Sequence, residues 1–287
     1  MINRSMPVWA ICILWCGLLS GPALAKDEQV TGAWAASAPK VDGQAEDWAG
    51  LSRSVDKSSQ VEYAVCNDGE NLYVLLVFKN PRSLSSIELT GITLFFSPEG
   101  KRDKDRGVRF IRRDVDADQL IAALEKQGQT LTEERKQELQ ARKQYRLYDS
   151  HVVDGDGKTI AQAVGSGRSL PPVFRVGREG GAVVYEFRLP LSGREDHPAA
   201  IGTAPGRAIK VGFEWGGMTP ELRAQMASQV GSQATQAVND SDSFDANYMA
   251  GGGNETRGSS GSLASMLRGP KKHAFWVDLT LSTPAVR

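Results

Sequence analysis

Short apolar runs bounded by turn residues recur along most of the chain, and their period is two. Gln60 to Cys66 is followed by Asn67-Asp68-Gly69, a strong turn signal, and then by Asn71 to Phe78, which predicts a hairpin with its loop at 67–70. Leu72 to Phe78 is apolar on both faces, so this strand is expected to be central and covered on both sides. Gly91 to Phe96 and Gly107 to Arg112 read as two further strands joined by the charged turn Pro98 to Arg106. The same pattern returns at His151 to Val153, Ile160 to Val164 and Val173 to Val176. From Ala182 to Leu189, Val183, Tyr185, Phe187 and Leu189 alternate with Val184, Glu186 and Arg188. Ile209, Val211, Phe213 and Trp215 alternate with Lys210 and Glu214, and Ala274 to Leu281 is the last strand.

The period changes to that of a helix at two places. Asp118 to Lys126 carries Leu120, Ile121 and Leu124 at helical spacing and ends before Gly128. Thr130-Leu131-Thr132-Glu133 reads as a capping box opening a polar surface helix over Glu134 to Tyr145. Residues 115–147 are thus a helical insertion in a β domain. A short helix is expected from Thr219-Pro220-Glu221 to about Ser228. Residues 229–270, rich in Gly, Ser, Asn and Gln, read as a long flexible loop. Many strands of antiparallel type, one helical insertion and no repeats predict an all-β fold, an antiparallel, jelly-roll-like β-sandwich.

The N-terminus carries a different signal. Arg4 supplies a positive start, Pro7 to Leu19 is an apolar run, Gly21-Pro22 breaks it, and Ala23-Leu24-Ala25 is a small-x-small cleavage site. Residues 1–25 therefore read as a secretory signal peptide, 26–37 as a flexible leader and 38–287 as the sandwich domain. Periplasmic or secreted localisation follows. The run is short for a membrane span and no second one follows, so no span is expected after cleavage. Of the three cysteines only Cys66 remains, which excludes an internal disulfide and points to a small buried residue in a strand. Lys plus Arg and Asp plus Glu both number 34, so nothing basic enough for nucleic-acid binding is present.

Several of these runs form a recognisable series. Pro39-Lys40-Val41-Asp42-Gly43 leading to Trp48, Tyr63 to Val74, Ile92 to Pro98 and Tyr185-Glu186-Phe187-Arg188-Leu189-Pro190-Leu191 resemble, in order and spacing, the blocks of family 9 carbohydrate-binding modules and their DOMON-like relatives. Leu189 stands where that pattern has isoleucine. The resemblance covers about residues 38–216. It implies an antiparallel β-sandwich and an exported, non-catalytic ligand-binding protein with carbohydrate as the leading ligand class. The two tryptophans that clamp sugar in such modules have no motif counterpart here. Asp42-Gly43 reads as a turn, and Trp48 as a plug at one end of the sandwich.

Sugar binding needs an aromatic face and polar groups for hydroxyls. Four tryptophans survive cleavage: Trp34 in the leader, Trp48, Trp215 and Trp276. Trp215 shares a face with Val211 and Phe213, which points to the core, and ends its strand beside Gly216-Gly217. Trp276 alternates against Phe275, Val277 and Leu279 and falls on the face carrying Asp278 and Thr280. The candidate ligand residues are therefore Trp276, Trp215 and Asp278, with Trp276 the preferred platform.

Calcium is a second candidate, at Asp240, Asp242 and Asp245, whose carboxylates are closely spaced but lack the glycine and distal glutamate of an EF-hand. Asp154-Gly155-Asp156-Gly157 is more simply a hairpin turn. Haem would need His or Met on facing elements, from His151, His197, His273, Met218, Met226, Met249 and Met266, none in a recognisable haem motif. No metalloprotease, nucleophile-elbow or phosphate-loop motif points to catalysis. The second functional reading is an envelope accessory protein that contacts a protein partner through the helical insertion or the 229–270 loop.

Overall fold

The computed structural model describes residues 28–80, 84–98, 100–126, 128–163, 170–192, 197–228 and 269–285. Two sheets face each other. The seven-stranded sheet runs β1(Glu28–Thr31), β13(His273–Thr280), β12(Ala208–Trp215), β6(Ile92–Ser97), β7(Gly107–Val115), β8(Tyr145–Val153), β9(Thr159–Gln162). The six-stranded sheet runs β10(Val173–Glu179), β11(Ala182–Pro190), β5(Asn71–Phe78), β4(Val61–Asn67), β2(Ala33–Trp34), with β3(Ser54–Asp56) also on β4. The all-β sandwich expected from the alternation is what forms. Its ladders are antiparallel except β1 on β13 and β2 on β4, which are parallel.

The alternating apolar positions meet between the sheets. Leu72, Val74, Leu76 and Phe78 of β5 and Tyr185, Phe187 and Leu189 of β11 pack toward Leu94, Phe110, Val211, Phe213 and Val277. The other face of β5 is also covered: Tyr73, Leu75 and Val77, with Cys66 and Val184, form a second layer under Ala45 and Trp48. This is why Leu72 to Phe78 is apolar at every position. Burying an apolar side chain of this size stabilises by roughly 1.5–3 kcal/mol.

Three expectations need correction. The leader proposed at 26–37 contains β1 and β2, which join the edges of both sheets, held by Gly32 N–H to Thr280 O and Ala35 N–H to Asn67 O, both at 2.9 Å. The insertion is narrower than 115–147. Val115 still pairs with Tyr145 in the β7–β8 ladder, so the helices α2(Ala117–Lys126) and α3(Glu133–Gln140) cap a long hairpin. The cap of α3 is Thr132, whose Oγ1 accepts from Arg135 N–H at 3.3 Å; the box at 130–133 is thus two residues early. Tyr145 belongs to β8 and donates its hydroxyl to Leu139 O at 2.7 Å. Helix α1(Leu84–Thr90), rich in Ser and Thr, has no counterpart in the sequence reading. A last helix, α4 (residues 220–228), follows β12. The signal peptide and nearly all of 229–270, including Asp240, Asp242 and Asp245, lie outside the described residues. Among the described residues no helix is long and apolar enough to cross a membrane.

Candidate functional site

The outer face of the seven-stranded sheet carries the polar positions of β12, β13, β6 and β7. Register places Trp276 beside Gly212, Gly212 beside Phe95, and Phe95 beside Gly107. Aromatic and glycine therefore alternate across four strands. The indole lies flat on the sheet because Gly212 has no Cβ; an added one would stand 2.7 Å from the ring. Phe95 leans over Gly107 in the same way, 2.8 Å from where a Cβ would be. The rings of Trp276 and Phe95 are 6.4 Å apart with planes only 25° from parallel. Trp276 is part-exposed, whereas Phe95 is buried.

Charged pairs flank the indole along the strands. On one side Lys210 pairs with Asp278. On the other, Glu214 is forked: Lys272 Nζ holds Oε1 at 2.7 Å and Lys104 pairs with Oε2. Lys104 also lies over the Phe95 ring, 5.5 Å from its centroid.

Next to Glu214 the outer face hollows into a cavity of about 230 Å³. Its floor is Thr93, Phe95 and Arg109, and its far walls are the 155–157 turn and residues 216–220. Arg109, only 3% exposed, makes a two-pronged pair with Glu221 of α4 at 2.7 and 3.0 Å and also donates to Gly157 O and Thr159 Oγ1. This contact ties α4 to the sheet. Burial works to raise the Glu221 carboxyl, but the hydrogen bonds and charge of Arg109, together with hydrogen bonds from its own backbone N–H and from Thr219, hold it below the ordinary value.

Trp276 and Asp278 are on the outer face, as their alternation with Phe275, Val277 and Leu279 requires. Trp215 is in the core at 1% exposure, edge-on to Phe78 and stacked on His273, yet it also lines the cavity, and its indole N–H is buried without a partner. The sequence reading missed Gly212, Phe95, Glu214, Lys104, Lys272 and Arg109. Only the alternation in β12 hinted that Lys210, Gly212 and Glu214 share a face. Of the haem candidates, His151 is on the outer face of β8, His197 is enclosed in the loop after β11, and His273 opens β13. Among the described residues no group of three His, Cys, Asp or Glu is placed to hold a metal ion.

The resemblance blocks have a structural meaning. Trp48 is wholly buried and donates to Glu186 at 2.7 Å, and the Asp42-Gly43 turn donates two backbone N–H groups to the same carboxylate. Trp48 thus covers the outer face of the six-stranded sheet, packed with Tyr73, Leu75, Val77 and Val184, rather than plugging one end of the sandwich as its motif suggests.

No protein-family model matches the chain. No curated protein matches it either. Among solved structures, a family 9 carbohydrate-binding module from Caldicellulosiruptor kristjanssonii in complex with glucose is similar at 12% identity and a TM-score of 0.34, over 68% of this chain and 81% of that one. A second structure of a family 9 module from that organism, in complex with cellotriose, is similar at 10% identity and a TM-score of 0.36, over 91% and 98% of the two chains.

Proposed function

We propose that this is an exported, non-catalytic binding protein whose ligand is a carbohydrate. The observation that carries the reading is the indole of Trp276 laid flat on Gly212, with ion pairs on both sides. A pyranose has an apolar face that stacks on such a ring and hydroxyls that exchange hydrogen bonds with the flanking groups. Asp278 is placed for one flank and Glu214 for the other, and the adjoining cavity, lined in part by Trp215, extends the surface. Glu214, Asp278 and Glu221 are each engaged by lysine or arginine, an arrangement suited to holding a ligand rather than exchanging a proton with it. The resemblance of the 38–216 blocks to carbohydrate-binding modules supports the same reading, and the sequence at 1–25 supports export with cleavage after Ala25.

A glycan array and affinity gels on residues 26–287 test it, with Trp276→Ala as the diagnostic variant. Retention on a polysaccharide that disappears in the variant is the expected result; no retention on any glycan defeats the reading. Intact-mass measurement of the exported protein tests cleavage. A second reading, contact with an envelope protein, is favoured by the α2–α3 cap, whose small core of Val115, Leu120, Ile121 and Leu139 is separate from that of the sandwich. Deleting the cap separates the two: carbohydrate retention is expected to survive it.

A further inference from the structure

The ion pairs beside Trp276 are not evenly matched. Asp278 meets one ammonium group, but Glu214 meets two, from Lys104 in the turn before β7 and Lys272 just before β13. Around Glu214 one positive charge is left over, on a chain whose formal net charge is zero. The side chains of Lys104 and Lys272 are 36% and 55% exposed, so both ammonium groups keep N–H donors to spare, and Lys272 lines the cavity. The wall behind them adds to the imbalance. Trp215 Nε1 and Arg109 Nε are buried donors without acceptors, and both residues line this cavity. Buried N–H dipoles without acceptors leave a positive potential that favours an anionic ligand group. Asp156, exposed at the rim, opposes this field, and the solvent around it weakens its effect.

We propose that the site selects an acidic saccharide, a uronate-bearing polysaccharide, with one sugar ring on the indole of Trp276 and a ligand carboxylate between Lys104 and Lys272. This rests on the carbohydrate reading above and names the ligand class within it. The two lysines are held in place by Glu214 before the ligand arrives, so little side-chain freedom is lost on binding.

Affinity gels containing polygalacturonate, mixed-linkage β-glucan or hydroxyethyl cellulose test it on residues 26–287. Polygalacturonate is expected to retain the protein most strongly. The retention is expected to fall about tenfold in the Lys104→Gln/Lys272→Gln variant, to return in Lys104→Arg/Lys272→Arg, and to weaken as salt is raised. The arginine variant and a thermal midpoint for each protein distinguish lost charge from lost fold. Stronger retention by the neutral polysaccharides, abolished by Trp276→Ala, overturns the acidic class while leaving carbohydrate binding intact. Polygalacturonate retention that survives Trp276→Ala is plain ion exchange and overturns the proposal. Retention by none of the three, with none on the glycan array, defeats the carbohydrate reading itself.

Discussion

Trp48 and Glu186, 138 positions apart, are joined by a buried hydrogen bond of 2.7 Å from the indole Nε1 to Oε1. The other carboxylate oxygen accepts the backbone N–H groups of Asp42 at 2.9 Å and Gly43 at 2.6 Å. One side chain of β11 thus fixes both the turn and the plug that cover its sheet. The turn can come so close only because Gly43 has φ +92° and faces Gly177, where a Cβ would stand 1.9 Å from Gly43 O.

Glu186→Gln is expected to destabilise the fold by about 1–3 kcal/mol, because the amide must turn a donor toward either the indole or the turn N–H groups. Trp48→Phe in that background is expected to cost less than in the native chain, which a double-mutant cycle in urea would read. Burial pushes the Glu186 carboxyl above its ordinary value, with the three N–H donors pulling it back. Its contribution to stability is therefore complete below the usual carboxylate range and is lost as pH rises through the raised value.

Gly212→Ala is expected to leave the fold in place and lift the Trp276 indole off the sheet, since the new methyl would lie 2.7–2.8 Å from three ring atoms. The measurements are tryptophan emission and carbohydrate retention. A red-shifted indole with retention reduced as far as in Trp276→Ala is the expected pair of results. Retention unchanged despite a red-shifted indole would mean that the flat indole has no part in binding.

Cys66 is wholly buried between Trp48 and the β5 side chains, and burial pushes its thiol up to about 12. A thiolate is the reactive form, so the native protein is expected to resist thiol reagents at pH 8 and to react fully in denaturant. Labelling of the folded protein within minutes would place the thiol at a surface that the structure does not give it.

The hairpin β4–β5 and the strands β6, β11, β12 and β13 could be read from sequence to within a residue or two because each buries one or both faces, and burial leaves a period. β1, β2 and β3 could not: they are two to four residues long, too short for a period, and β1 and β2 exist by pairing with residues far along the chain, on β13 and β4. Only the end of β8, His151 to Val153, showed the pattern; its first part was hidden by Arg146, Asp149 and Ser150, polar residues of a hairpin that extends past the core into the cap. Trp276 could be placed outward because its neighbours at Phe275 and Val277 are core. Its supports could not be placed, since Lys104 and Glu214 are 110 positions apart and Arg109 and Glu221 are 112 apart. Linear spacing carries no trace of such pairs.

His197 gives an acid sensitivity opposite in sign to that of Glu186. It is fully buried, its Nδ1 accepts the Ala199 N–H at 3.0 Å, and Nε2 is buried without a partner. Burial holds its imidazole below the ordinary value. In the unfolded chain the ring takes up a proton at the usual pH near 6.5, whereas in the fold it stays neutral to lower pH. The stability it contributes is present above that value and is lost as pH falls through the lowered one. His197→Asn keeps an acceptor for Ala199 and removes the titration. The thermal midpoint of this variant is expected to be lower at pH 8, from the smaller side chain, but to fall less than that of the native protein between pH 7 and 5. Parallel curves for the two proteins would show that His197 does not set the acid limit.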